Sequence, residues 1–258
     1  MKFLIEKFCK KPKLRNPILI EGLPGVGNVA RIAVSYLASK LNAQLYLALY
    51  SYIFPNSVFV NEDSTIDLPK VEFYFWKNPK SKRDLLLVSG DYQPGSGEES
   101  YLLAEKILDI AQDLNVKEII TLGGFPVNRE LTKIRIYGAV TDKSYIKEFS
   151  KFNVIFDGTN GVNLIIGAAG LLLGLGKLRG MRGISLLAET RSLEDSIGIR
   201  SSKELLVVLS KYLGLNISFK ELDNEIRRIE KQRGESKRKK RKREKLPTFR
   251  LESPRYIG

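Results

Sequence analysis

Short apolar runs alternate with amphipathic helical patterns along the first two-thirds of the chain. Residues Ile18–Glu21 form a short apolar strand pattern, which is followed by a glycine-rich turn and by a helical pattern over residues 28–40. The run Leu85–Ser89 is almost entirely apolar, which is typical of a strand buried on both faces. After it, apolar residues recur at spacings of three and four and predict an amphipathic helix: Leu103, Ile107, Ala111 and Leu114.

The same alternation continues to about residue 213. Further strands are predicted at residues 44–50, 58–61, 71–76, 116–121, 133–140, 154–156 and 183–188. Helices are predicted at residues 142–151 and 162–175, and the second of these has Gly167, Gly170 and Gly174 on one face. Ser96 is predicted to cap the helix that bears Leu103, and Ser202 is predicted to cap the last helix of the core. This order predicts an α/β fold, with a mostly parallel central sheet flanked by helices.

The composition changes sharply after about residue 220. Arg227–Lys245 holds twelve basic and three acidic residues, so it carries most of the formal charge of +14. Apolar and aromatic residues return in the last thirteen residues. We therefore divide the chain into an α/β core (1–225), a highly basic helical or disordered spacer (226–245) and a C-terminal docking peptide (246–258).

The composition excludes most familiar catalytic and metal sites. The chain has no histidine and one cysteine, Cys9. Ser-His-Asp and Cys-His nucleophiles, four-sulfur and histidine-containing zinc sites and an internal disulfide are thereby excluded. No catalytic residue, metal site or cofactor is predicted, and the cysteine usage is typical of a reducing compartment.

Neither a signal peptide nor a membrane span is predicted. Glu6 and Lys7 interrupt the segment that would form the apolar part of a signal peptide. The longest apolar stretch, Leu164–Gly176, is shorter than the roughly 20 residues that a membrane-spanning helix needs. We expect a cytoplasmic protein with no membrane partner.

The turn after the first apolar strand has two interpretations. Gly25, Gly27 and Ala30 have the G-x-G-x-x-A spacing of a dinucleotide-binding turn. The acidic residue expected about 20 positions later is missing, and so is the lysine of a phosphate-binding loop. The turn is either a tightly packed strand-to-helix connection or a ligand turn formed by Gly22, Gly25, Gly27 and Asn28. We expect neither ATP nor NAD to bind there.

A run of seven basic residues is the sharpest charge feature: Lys237, Arg238, Lys239, Lys240, Arg241, Lys242 and Arg243. It is a solvated arm, a contact for nucleic-acid phosphates, or a contact for an acidic protein surface. The run contains no aromatic residue, which disfavours the stacking of single-stranded bases.

Several segments together resemble one known family. They are residues 20–28 (IEGLPGVGN), 122–126 (LGGFP), 160–174 (NGVNLIIGAAGLLLG), 183–190 (GISLLAET) and 201–214. With them, residues 15–230 resemble the proteasome assembly chaperone family in its archaeal branch. The resemblance implies a fold like that of nucleoside phosphorylases and related hydrolases without a catalytic set. It also implies homo-oligomers that bind the α-subunit face of the proteasome core particle.

The resemblance also implies how the C-terminus acts. Family members commonly end in a hydrophobic residue, a tyrosine and any third residue, which insert between α subunits. This chain ends in Arg255, Tyr256, Ile257 and Gly258, so its tyrosine is third from last, one residue from the family position. These residues and the basic run are the predicted partner-binding residues. Two alternatives stay open: an α/β enzyme such as an ATP-dependent ligase or a nucleoside-binding protein, and a nucleic-acid binder that uses the basic arm.

Overall fold

A large mixed sheet forms the centre of the computed structural model, which describes residues 3–158, 161–191, 198–229 and 231. Its strands are β1 (Phe3–Lys7), β2 (Ile18–Gly22), β3 (Gln44–Ser51), β6 (Val71–Trp76), β7 (Leu85–Gly90), β8 (Glu118–Val127), β9 (Ile136–Val140), β10 (Val154–Ile155) and β11 (Arg182–Arg191). Their order across the sheet is β1-β3-β6-β7-β2-β8-β11-β9-β10. The short strands β4 (Phe59–Val60) and β5 (Ile66–Asp67) pair separately.

Helices cover both faces of the sheet. They are α1 (Val29–Lys40), α2 (Gly97–Asp113), α3 (Ser144–Ser150), α4 (Ala168–Leu178) and α5 (Ile199–Leu213). α1 packs against α5, and α2 packs against α4. Leu19 of β2 belongs to the buried cluster that includes residues of α2 and α4, whereas Gly22 of the same strand lies against Val34 of α1. Because alternate residues of a strand point to opposite faces, the two helix pairs cover opposite faces.

The predicted α/β class is confirmed, and parallel pairing is concentrated in the centre of the sheet. β7, β2, β8 and β11 are parallel neighbours. On one side, β6, β3 and β1 are added antiparallel, and on the other side β9 is antiparallel to β11 and parallel to β10. β6 and β7 are joined directly without a helix, and such a short connection suits an antiparallel pair.

The largest differences from the predicted element boundaries are at the end of β8 and the start of α4. β8 continues through Gly123 and Gly124, where the strand was expected to end, because it pairs with β11 over ten residues. α4 begins at Ala168 rather than at residue 162, and Gly167 is its N-cap with φ of 87°. The residues before Gly167 are as apolar as those in the helix, so the sequence gives no sign of where the helix starts.

The two predicted serine caps have different outcomes. The hydroxyl oxygen of Ser96 accepts from the backbone N–H of Glu99, whose side chain in turn accepts from the N–H of Ser96, so this cap is confirmed. The Ser202 prediction is wrong, because α5 begins earlier with Gly198 as its N-cap. The Ser202 hydroxyl instead donates to the backbone oxygens of Val29 and Gly198, each at 2.8 Å.

The glycines of α4 do not form the continuous close-packed face that their spacing predicts. A Cβ atom added at Gly174 would have no heavy atom within 4 Å, so this glycine faces open space. A Cβ atom at Gly176 would lie 2.6 Å from Cδ1 of Ile119 in β8. The close helix–sheet contact is therefore made at Gly176 instead of Gly174.

We expect Gly174→Ala to stabilise the protein by about 0.5–1 kcal/mol, because glycine in a helix interior costs more backbone entropy than alanine. Gly176→Ala is the matched control and is expected to destabilise the protein, since its new methyl group must displace Ile119. Thermal unfolding followed by circular dichroism compares the two variants with the wild type. A lower unfolding temperature for Gly174→Ala would show that this glycine is packed in the protein in solution.

The chain divides into two compact units between Ile217 and Ser218. In the second unit, residues 220–229 are helical, while residues 230 and 232–258 lie outside the described residues. The proposed segments 1–225, 226–245 and 246–258 therefore stay predictions. Among the described residues, no helix has the length and apolar character needed to cross a membrane.

Candidate functional site

A cleft of about 850 Å³ lies at the carboxyl ends of the central strands. Ligand sites of α/β proteins form at this edge of the sheet, outside the carboxyl ends of parallel strands. Four segments contribute to its lining. They are the end of β2 and the turn after it (Glu21, Leu23, Gly25 and Val26), residues 93–97 at the start of α2, residues 122–126 of β8, and residues 164–167 before α4. Most of the lining side chains are apolar, and no lysine or arginine is among them in the described part of the chain.

The glycine-rich turn serves mainly to pack β2 against α1. A Cβ atom at Gly22 would lie 2.4 Å from the backbone oxygen of Ala30, so only glycine fits. Gly27 has φ of 64°, and a Cβ atom there would lie 2.8 Å from the Thr190 hydroxyl oxygen. Of the four residues proposed as a ligand turn, Gly25 alone lines the cleft, while Gly22, Gly27 and Asn28 do not. The geometry favours the packing interpretation.

Glu21 is the polar group of the cleft that the sequence analysis missed. Its side chain is 1% exposed, and its Oε1 accepts from the backbone N–H of Leu23 at 2.7 Å. Its Oε2 is buried and has no hydrogen-bond partner among the described residues. Burial raises the pKa of the Glu21 carboxyl to about 8. Its position directly after the apolar run Ile18–Ile20, at the carboxyl end of a central strand, was the available signal.

Gln93 ties the start of α4 to the turn after β2. Its Nε2 donates to the backbone oxygen of Pro24 at 2.5 Å, and its Oε1 accepts from the backbone N–H of Ala168 at 3.0 Å. One side-chain amide thus holds together two of the segments that line the cleft.

The carboxylates near the cleft are structural. Glu99 completes the cap of α2, and Asp91 accepts from Arg31 at 2.8 Å and from the backbone N–H of Lys70 at 3.1 Å. Within the described ranges, no group of three or more His, Cys, Asp or Glu residues is placed to hold a metal ion.

A second buried acid, Glu118, lies at the opposite edge of the sheet, where β8 begins. It accepts from Arg83 at 2.7 Å and from the Tyr212 hydroxyl at 2.6 Å, and Arg182 is 3.4 Å away. Burial is the main cause that raises the pKa of Tyr212. Because both carboxylate oxygens of Glu118 are paired by side chains from separate elements, this cluster joins parts of the fold.

The predicted partner-binding residues lie outside the described residues. They are Lys237, Arg238, Lys239, Lys240, Arg241, Lys242, Arg243, Arg255, Tyr256, Ile257 and Gly258. Their assignment stays a prediction that rests on the sequence.

Comparisons with known proteins agree on one family. A model described as the PAC2 family matches residues 19–236. The solved structure of PbaB from Pyrococcus furiosus, described as an archaeal proteasome activator, has a TM-score of 0.85 and 37% identity and covers 91% of this chain and 98% of its own. PbaA from the same organism, described as an archaeal homolog of proteasome-assembly chaperone, has a TM-score of 0.72 and 26% identity. The match covers 90% of this chain and 94% of the PbaA chain. The protein MJ1210 of Methanocaldococcus jannaschii is 34% identical over 234 residues, which are 89% of this chain and 88% of that protein.

Proposed function

Because the chain belongs to the PAC2 family, we propose that it is a non-enzymatic protein that binds the proteasome core particle as an assembly chaperone or activator. The observation that carries this proposal is the likeness to PbaB, an archaeal proteasome activator, at 37% identity over nearly the whole of both chains. The likeness to PbaA supports the same class of role. The family predicted from the sequence segments is confirmed.

The proposed contact is between the C-terminal arm and the α-subunit face of the core particle. The last thirteen residues reach about 45 Å when extended, at roughly 3.4 Å per residue. The like charges of the preceding basic segment repel one another and favour an extended spacer. The terminal Tyr256 is thus able to search for a pocket far from the core, while Lys237–Arg243 attracts an acidic surface.

The cleft gives little support to the alternative of an ATP-dependent ligase. Such an enzyme needs basic groups for phosphates and clustered carboxylates for magnesium. Within the described residues the cleft has no lysine or arginine, and Glu21 is its one carboxylate. A nucleoside-binding protein and a nucleic-acid partner for the basic run stay open as alternatives, and duplex DNA is one of the partners that the binding experiments include.

We also propose that the protein self-associates and that it is cytoplasmic. Apolar side chains of the edge strand β1 and of the residues after it are exposed, namely Leu4 (45%), Ile5 (42%) and Phe8 (48%). Exposed apolar side chains on the edge strand of a sheet favour contact with another chain, because the edge also presents unpaired backbone groups. Light scattering of the full chain measures the oligomer mass directly.

Truncation after Glu230 is expected to leave the thermal unfolding temperature nearly unchanged, because residues 230–245 contain no apolar side chain that a core could bury. The same truncation is expected to abolish binding to the core particle. Circular dichroism and co-sedimentation measure the two properties on one sample. An unfolded truncated chain would show that the arm is part of the folded core, and unchanged co-sedimentation would place the contact elsewhere.

A further inference from the structure

The hairpin formed by β4 and β5 is exposed over its whole length. Residues 55–68 are all exposed, although the two strands within them form a hydrogen-bonded pair. The turn between the strands is held by its own side chains, since Asn61 Nδ2 donates to Thr65 Oγ1 at 3.0 Å and to Asp67 Oδ2 at 2.8 Å. A two-stranded hairpin alone is only marginally stable in water. This hairpin is therefore a formed element that gains stability from a partner that covers it.

One face of the hairpin is apolar and uncovered. On the other face, the Phe59 ring stacks on Tyr92 of the same chain, with 6.0 Å between the ring centroids. Because alternate residues of a strand point to opposite faces, Val60 and its cross-strand partner Ile66 lie on the face away from Tyr92. Both side chains are exposed. The hairpin thus contacts its own domain on one face and presents aliphatic side chains on the other.

The apolar face continues into a groove of about 450 Å³. Val58 and Leu68 extend this face by one position on each strand, and both line the groove. Leu4 of the edge strand β1 and Pro55 also line the groove. The molecule therefore carries an exposed apolar hairpin face and an apolar groove side by side, at the edge of the main sheet.

The area of this surface suits contact with another protein chain. Five side chains that are each at least 45% exposed contribute to it, namely Leu4, Val58, Val60, Ile66 and Leu68. Together they expose roughly 500 Å², which is close to the apolar share of a standard interface, about 60% of about 800 Å² per partner.

The charges beside the hairpin and beside the groove are opposite. Residues 55–68 contain three acidic residues and no basic one. Along the edge segment that contains Leu4, Lys7 and Lys10 are exposed, and the acidic Glu6 accepts from the Tyr50 hydroxyl at 2.8 Å. A second copy that places its hairpin against this edge brings opposite charges together.

We propose that two copies of this chain associate by exchanging these elements, with the apolar face of each β4–β5 hairpin seated in the groove of its partner. A two-fold axis beside the hairpin makes the contact isologous, so both grooves are filled at once. This inference rests on the proposed self-association, for which it supplies the surface, and it does not involve the C-terminal arm.

Two variants of the full chain test the exchange, one on each part of the surface. The double substitution Val60→Asp and Ile66→Asp places charges on the hairpin face, and Leu4→Asp places one in the groove. Each variant is expected to raise the Kd of the dimer at least about a hundredfold, because the new carboxylates have no partner in an apolar contact. Leu178→Asp is the control, since Leu178 ends α4 and is 84% exposed, and it is expected to keep the wild-type mass.

Analytical ultracentrifugation at micromolar concentration measures the mass, and circular dichroism confirms that each variant is folded. The hairpin variant keeps an intact groove and the groove variant keeps an intact hairpin, so one of the two contacts can form in a mixed pair alone. We expect association to return in an equimolar mixture of the two variants. The surface is overturned if either folded variant keeps the wild-type mass, or if the mixture does not associate. A wild-type chain that is itself a monomer would overturn the proposed self-association as well.

Discussion

Tyr256→Ala is expected to weaken binding to the proteasome core particle more than about tenfold, which corresponds to roughly 1.4 kcal/mol or more. Tyrosine is among the residues that dominate small interfaces, because its large and rigid ring fills a pocket at little entropic cost. Pro254 restricts the backbone before it, so less conformational freedom is lost when the segment becomes ordered. Fluorescence anisotropy with labelled full chain and purified core particle measures the change in Kd.

The matched control for this variant is Tyr52→Ala. Tyr52 belongs to the α/β domain and is 81% exposed, so its removal deletes an exposed tyrosine ring without touching the arm. Replacing the seven basic residues Lys237–Arg243 with glutamine is expected to weaken binding mainly at low salt, because exposed charges act over a distance that salt screens. Full-strength binding by a chain that lacks Ser253–Gly258 would contradict the assignment of the terminal peptide.

Glu21→Gln is expected to stabilise the protein increasingly as the pH rises from 4.5 towards 8. The ordinary pKa of the carboxyl is 4.5, and burial raises it to about 8 in the folded protein. Between these values the unfolded chain has released the proton and the folded protein still holds it, so the folded state binds more protons. The free energy of unfolding of the wild type therefore falls with rising pH, by up to about 1.4 kcal/mol per pH unit from this one group. Glutamine does not titrate, so the variant lacks this loss.

Urea unfolding of both proteins at pH 5, 6, 7 and 8 measures the effect as a difference between them, so that all other titrating groups cancel. The exposed Glu62→Gln is the control, and we expect it to follow the wild type at every pH. A difference between Glu21→Gln and wild type that stays constant with pH would show that Glu21 is ionised in the folded protein. In that case an unseen donor pairs with Oε2.

The sequence predicts those parts of the fold that depend on local pattern. The apolar run of β7, the spacing of Leu103 and Ile107 in α2, and the cap at Ser96 each follow from residues close together in the chain. The extension of β8 through Gly123 and Gly124 does not, because it depends on pairing with β11, some 60 residues later. Strand direction at the edges of the sheet is likewise decided by partners that the local pattern does not identify.

In the candidate site too, the features that depend on residues distant in the chain could not be predicted from the sequence. The spacing of Gly25, Gly27 and Ala30 is the same in a phosphate-binding turn and in a packed turn, and only the positions of Val34 and Thr190 decide between them. The importance of Glu21 depends on a missing partner, which a sequence cannot display. The basic run was identified from its charge, whereas the docking role of Arg255–Gly258 was inferred from the family resemblance.

We expect this PAC2 protein to bind the proteasome through its C-terminal arm. Analytical ultracentrifugation tests this binding. The full chain is mixed in turn with intact core particle, with isolated α ring and with a duplex DNA of matched charge. We predict that the full chain sediments with the core particle and with the α ring, and that a chain ending at Glu230 sediments with neither. Sedimentation of the full chain with the DNA alone, or with none of the three, would contradict the account.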